Sequence, residues 1–218
     1  MDIVKQKMFE AAKQGDLTFF QSQNFDENIV DEDGANCLHY VCRGGNVQLA
    51  QYFVDEKQFD VSEKTKFGST AFHEAAASGS LDIVKWLWSK TEINIDEQDG
   101  IGATPLHIGA LYGQLLVVHW IINKTSCDLM LKTDKGALCL HFAVVGGSLK
   151  VTTIILAEIP RYVSFLLGFF VFFFQFDHRH VIQRVELGPL IFYWSNNLSE
   201  FFPYKSHIMK IQYFQYFI

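Results

Sequence analysis

The residues best suited to chemistry are four histidines and four cysteines. The histidines recur every 34 residues, whereas the cysteines form no C-x-x-C pair; these positions are His39, His73, His107, His141, Cys37, Cys42, Cys127 and Cys139. A single histidine can act as a general base or bind a metal. Active sites, however, bring different residue types together, so one residue type at a fixed period indicates a structural part that is repeated four times.

The other patterns that could support catalysis are absent or weak. The sequence contains no G-x-S-x-G, no Walker-type phosphate loop and no dinucleotide fingerprint. His178-Arg179-His180 is a local histidine cluster with no cysteine nearby, which is a weak metal signal. Cys37 and Cys139 occupy the repeat position of Pro105, and we expect them to be buried. We predict no catalytic residue, no metal and no cofactor, and therefore no enzyme.

Glycine and apolar residues follow the same 34-residue period as histidine. The columns are Gly34, Gly68, Gly102 and Gly136; Gly45, Gly79, Gly113 and Gly147; Leu38, Phe72, Leu106 and Leu140; Leu49, Ile83, Val117 and Val151; and Phe53, Leu87, Ile121 and Ile155. A fixed period of this length is typical of repeat architectures.

Each period can be interpreted as a turn followed by two helices. The first glycine suits a tight turn, and a helix then begins near Asn36, Thr70 or Thr104 and ends at the second glycine. A second helix is predicted from about Leu81 to Ser89 in the corresponding copy. Because one such unit cannot bury its apolar face alone, neighbours must stack, which predicts an all-α solenoid.

The stretch Gly102-Ala103-Thr104-Pro105-Leu106-His107, followed by Gly109-Ala110, resembles the ankyrin repeat. The resemblance implies that each threonine hydroxyl and histidine form a local hydrogen-bond network. It covers residues 31–160 as four repeats, and Phe9 to Leu17 looks like a degenerate N-terminal capping hairpin within residues 1–30. Residues 161–218 lack the pattern and form a separate tail.

The resemblance also implies a binding surface, because ankyrin partners occupy the concave groove formed by turn tips and first helices. Several groove positions are too apolar for a solvated surface. The predicted partner-binding residues are Tyr40, Arg43, Phe67, Glu74, Ile101, Ile108, Leu111, Tyr112 and Phe142. Since residues 1–160 carry a net charge of −8, with acidic Glu74 in the groove, a basic and apolar peptide is the expected ligand and nucleic acid is not. The alternative is that the hydrophobic tail covers the groove.

Among ankyrin proteins, the sequence is most similar to the N-terminal array of the espin and forked group of actin-bundling proteins. The residues concerned are the Gly-Ala openings at 34, 102 and 136 and the segments Val84–Leu87, Val118–Ile121 and Thr133–Leu138. This resemblance implies a cytoplasmic adaptor at actin bundles that binds a class III myosin tail. The resemblance implies an association with actin, but this sequence has only four prolines and no basic C-terminal helix, so it does not predict whether actin bundling is kept. A rival interpretation is an ankyrin subunit that inhibits or targets an enzyme.

The tail contains 18 aromatic residues among 58, and residues 162–176 are nearly all apolar. As a helix these 15 residues would extend about 22 Å, short of a roughly 30 Å hydrocarbon core. Three interpretations stay open: a membrane anchor, a segment packed on the last repeat, and read-through from an alternative exon or intron. With no C-x-x-C pair and an amphipathic start after Met1, we expect no signal peptide and a reducing, intracellular location.

Overall fold

The computed structural model describes residues 3–22, 24–90 and 93–159, along which five helix pairs follow one another. The predicted all-α solenoid is confirmed. The elements are α1 Ile3–Gln14, α2 Leu17–Ser22, α3 Cys37–Gly44, α4 Val47–Gln51 with a π-helical turn Tyr52–Glu56, α5 Ala71–Ser78, α6 Leu81–Lys90, α7 Pro105–Leu111, α8 Leu115–Lys124, α9 Cys139–Val145 and α10 Leu149–Glu158.

The first helices begin and end as the repeated residues predict. The backbone N–H of His39 donates to the side chain of Asn36 at 3.1 Å, and that of His107 donates to the Thr104 hydroxyl at 3.5 Å. Such side-chain acceptors satisfy N–H groups that have no partner within the helix. After α3 the chain turns through Gly45, whose φ of 82° lies in the left-handed region that favours glycine.

The apolar columns form the core between neighbouring repeats. The leucine or phenylalanine before each histidine is buried, and both apolar columns of the second helices are inaccessible to solvent: Leu49, Ile83, Val117, Val151, Phe53, Leu87, Ile121 and Ile155. Each first helix packs against the first helix of the next repeat, and the second helices do likewise. The apolar face of one repeat is therefore covered by its neighbours, as expected for a stacked array.

The turns that join the repeats are connected in a row by backbone hydrogen bonds. The N–H of Lys66 donates to the carbonyl of Asp33 at 2.8 Å, and the same bond recurs from Gly100 to Phe67 and from Asp134 to Ile101. Gly102 has a φ of 78°, and a Cβ on it would lie 2.8 Å from the backbone nitrogen of Asp134. The glycine column is thus required both by conformation and by the closeness of the next turn.

The segment before the first repeat forms the helix pair α1 and α2, which packs on α3. Phe9 of α1 is buried, and its ring stacks on that of Tyr40 with centroids 4.6 Å apart. The helix pair therefore covers the side of repeat 1 that faces away from repeat 2.

None of the helices in residues 3–159, so far as the structure describes them, is long and apolar enough to cross a membrane. The tail over residues 161–218 lies outside the described residues, and with it the proposed anchor at 162–176 and the cluster at 178–180.

Candidate protein-binding surface

His107 is held by three partners that fix its protonation. The backbone N–H of Thr104 donates to its Nδ1 at 3.2 Å, and the Thr104 hydroxyl lies 2.8 Å from the same nitrogen. Its Nε2 faces the carbonyl oxygen of Ala137 at 3.4 Å. Because Nδ1 receives a backbone N–H and Nε2 faces a carbonyl, the ring is the neutral tautomer with its proton on Nε2.

Burial reinforces this assignment. Desolvation lowers the pKa of His39, His73 and His141, and it lowers the pKa of His107 to about 4. A neutral ring whose two nitrogens are both engaged is poorly placed to bind a metal or transfer a proton. The predicted contact between the Thr104 hydroxyl and His107 is confirmed, and it gives the ring a structural role.

The histidines also connect one repeat to the next, a contact that we did not predict from the sequence. Nε2 of His39 lies 3.2 Å from the carbonyl of Ser69, and Nε2 of His73 lies 3.1 Å from that of Ala103. Together with the contact from His107 to Ala137, each bond spans 30 residues along the chain. The signal for it was the period itself, since every copy presents a backbone carbonyl at the same place.

Three of the four thiols, those of Cys37, Cys42 and Cys139, are buried in the core. Cys37 and Cys139 are buried as predicted, and burial raises the pKa of each to about 12. Cys127 is half-buried, and burial also raises its pKa. Thiols with raised pKa values are poor nucleophiles and poor metal ligands. In the part of the chain that the structure describes, no three His, Cys, Asp or Glu residues are placed to hold a metal.

The predicted partner-binding residues lie on the surface made by the four turn tips and the exposed side of the four first helices. We call this surface the groove face. On each first helix, the residue after the histidine and those three and four positions later share this side. The rows are Tyr40, Arg43 and Gly44; Glu74, Ala77 and Ser78; Ile108, Leu111 and Tyr112; and Phe142, Val145 and Gly146.

On the first helices of repeats 1 and 2 the groove face is polar, and its polar groups bind one another. Nε and Nη2 of Arg43 donate to the two carboxylate oxygens of Glu74 at 2.8 and 3.0 Å. The guanidinium also lies 4.8 Å from the centre of the Tyr40 ring, and the Tyr40 hydroxyl donates to Asp31 at 2.8 Å. We call these four residues the polar half.

The part on repeats 3 and 4 is apolar, and the turn tip of repeat 2, Phe67, adds to it. Tyr112 is 63% exposed and Val145 68%, and the turn tips Phe67 and Ile101 are 65% and 58% exposed. Half-buried apolar side chains lie between them, and the ring of one, Phe142, meets His107 edge-on at 5.1 Å. We call this set the apolar half; its members are Phe67, Ile101, Ile108, Leu111, Tyr112, Phe142 and Val145.

The nine predicted binding residues divide between these two halves. Tyr40, Arg43 and Glu74 belong to the polar half, and the six apolar residues belong to the apolar half. Glu74 was expected to attract a basic ligand, but its carboxylate is already engaged by Arg43. Val145 was missed although it occupies the same repeat column as Leu111, which is the signal that could have found it. That these residues bind a partner stays a prediction.

The described residues form a repeat scaffold that carries an exposed surface on its turn tips and first helices. The family model described as ankyrin repeats (3 copies) matches residues 8–99, and the one described as ankyrin repeat matches residues 101–134. Since the two matches span more than half of the sequence, the chain belongs to the ankyrin-repeat family. A search of curated proteins finds no match to this chain. Ankyrin repeats are in general modules for protein–protein interaction, and their presence indicates such a module in this chain.

Proposed function

We propose that this chain is a non-catalytic adaptor that binds a protein partner through the apolar half of its groove face. The observation that carries the proposal is the concentration of exposed apolar side chains there. Four of them, Phe67, Ile101, Tyr112 and Val145, are each more than half exposed. A cluster of exposed apolar side chains is typical of an interaction site, and aromatic anchors supply much of the affinity at such sites.

A quantitative capture experiment tests the proposal. Wild-type chain and the double variant Tyr112→Ala/Val145→Ala are immobilised, and bound proteins are compared by mass spectrometry. Both side chains are largely exposed, so we expect the variant to fold and to lose its specific partners. Leu116→Ala is the matched control, because Leu116 is 66% exposed but lies on the second helix α8. Equal capture by wild type and double variant would contradict the proposal.

The narrower proposal is an adaptor of the espin type, located in the cytoplasm at actin bundles, whose partner is a class III myosin tail. Its support is the resemblance of residues 84–87, 118–121 and 133–138 given above. Calorimetric titration of the full chain with a basic class III myosin tail peptide tests it. We expect micromolar binding that Ile108→Ala and Tyr112→Ala weaken about tenfold, or roughly 1.4 kcal/mol. No binding by the folded chain would remove the espin-type proposal and leave the general one standing.

A further inference from the structure

The two ends of the groove face differ in charge at their turn tips. Glu32 and Asp33 at the tip of repeat 1 are exposed. Their carboxylates form no ion pair with any residue that the structure describes. The nearby cation is Lys66, whose ammonium donates to the backbone carbonyl of Glu32 at 2.6 Å. Two free carboxylates against one ammonium leave the tip of repeat 1 acidic.

The later turn tips carry no such excess. At repeat 3 the tip is Gly100 and Ile101, and at repeat 4 it is the oppositely charged pair Asp134 and Lys135. Asp31 and Asp99 do not distinguish the repeats, because each accepts backbone N–H groups within its own turn; the bonds from Ala35 and Ala103 both measure 2.8 Å. The excess negative charge of the turn tips therefore lies at the end of the groove face opposite to the apolar half.

The polar half between these ends offers little to a cationic ligand. Both oxygens of Glu74 are taken by Arg43, and Asp31 accepts the Tyr40 hydroxyl. A ligand cation that displaced Arg43 would leave that half-buried guanidinium without its partner, which is unfavourable. The carboxylates available to a ligand on this side are those of Glu32 and Asp33.

We propose that the partner segment is itself asymmetric, with a basic end over Glu32 and Asp33 and apolar anchors between repeats 3 and 4. This inference rests on the proposed function, since it assigns the chemistry of the partner at the same surface. Packed helices lie about 8–10 Å apart, so the two contact regions are separated by roughly 20–25 Å. An extended peptide covers that distance with about 6–8 residues and a helical one with about 13–17.

The test is a selection from a displayed library of random peptides about 20 residues long, long enough for either geometry. The bait is the full chain at low ionic strength. We expect enriched peptides to carry a basic cluster and an aromatic or aliphatic cluster at one of these two separations. The winners are resynthesised, and their affinities for wild type, Glu32→Lys/Asp33→Lys and Tyr112→Ala are measured by fluorescence anisotropy.

Reversing the two charges is expected to weaken binding about three- to tenfold, with the difference shrinking in 0.5 M salt, because exposed charges are screened. Tyr112→Ala is expected to weaken it about tenfold or more. Glu56→Lys/Glu158→Lys is the matched control: it makes the same change in net charge at exposed positions on second helices, and we expect no effect.

The other outcomes either distinguish the two proposals or overturn both. Binding weakened by Tyr112→Ala but unchanged by the tip reversal overturns the asymmetric partner and leaves the proposed function intact. Binding that neither variant changes overturns both, and so does a selection against the folded chain that enriches no peptide.

Discussion

The polar and apolar halves of the groove face are built on the same backbone and differ only in side chains. In repeats 1 and 2, Tyr40, Arg43 and Glu74 bind one another and Asp31. In repeats 3 and 4 the corresponding helix positions are Ile108, Leu111, Tyr112, Phe142 and Val145. Of these, Tyr112 and Val145 are largely exposed. The polar side chains of the polar half already have partners within the chain, whereas the apolar half has exposed apolar surface that a partner could bury.

The difference indicates that stability and partner affinity depend on different parts of the array. A bidentate ion pair between adjacent helices fixes the spacing of repeats 1 and 2 and gives a ligand little to gain. Exposed apolar side chains gain free energy when a partner removes them from water, at about 25 cal/mol per Å². Stability of the array and affinity for a partner are thus expected to respond to mutations in different halves.

The largest expected effect is at the junction of repeats 3 and 4, where the apolar half is assembled. A methyl group at Gly146 would overlap the carbonyl oxygen of Leu111. Because that oxygen belongs to the backbone, Gly146→Ala is expected to lower the free energy of unfolding by about 3 kcal/mol, as measured by urea unfolding. In Gly109→Ala the new methyl would lie 3.4 Å from Val118, so this control should be neutral or up to about 1 kcal/mol more stable. Equal behaviour of the two variants would show that repeat 4 does not pack this closely on repeat 3.

Acid should destabilise the array in two stages that distinguish its parts. The folded-state pKa of His107 is about 4, below its unfolded value near 6.5. Its contribution to the free energy of unfolding is therefore complete above pH 6.5 and is lost as the pH falls to 4. The loss from His107 alone is roughly 3 kcal/mol. Unfolding free energies measured between pH 7 and 4 should show it, and a flat profile would contradict the buried neutral ring.

The second stage belongs to the polar half. Partial burial opposes ionisation of Asp31, but the N–H of Ala35, the Tyr40 hydroxyl and the N–H of Asp33 outweigh it and lower its pKa below 3.8. The contribution of Asp31 to the free energy of unfolding is present above pH 3.8 and is lost as the pH falls further. Tyr40→Phe should therefore reduce the loss of stability below pH 4 and leave the loss between pH 6.5 and 4 unchanged.

The smallest expected effect compares two ion pairs between repeats. Glu74→Gln removes the charge partner of Arg43 at a site where the two side chains are 33% and 13% exposed, and we expect a loss of about 1 kcal/mol. Glu97→Gln breaks the more exposed pair with Lys64 and should cost less than about 0.5 kcal/mol. Equal losses in thermal unfolding would mean that the network in the polar half contributes no more than an ordinary surface pair.

The fold could be predicted in detail because the same residue pattern occurs four times in the sequence. Glycine, histidine and a large apolar residue each recur in four phased copies, so each prediction rests on four positions. A local turn or cap depends mainly on neighbours within a few residues. The groove positions followed from the same register. Whether Glu74 was free could not be predicted, because its partner Arg43 lies 31 residues away in the sequence. The stacking of Phe9 on Tyr40 was also not predicted, because these residues are far apart in the sequence and the first hairpin departs from the repeat pattern.

The sequence by itself determined that this chain is a stack of turn-and-hairpin units, because the period, the turn glycines and the buried columns are local or repeated properties. Only the tertiary structure decided which polar groups of the groove face satisfy one another and which apolar groups remain exposed. The physical reason is that hydrogen bonds and burial depend on what the adjacent repeat places opposite each side chain. In this protein that neighbour supplies Glu74 to Arg43 but leaves Tyr112 in water.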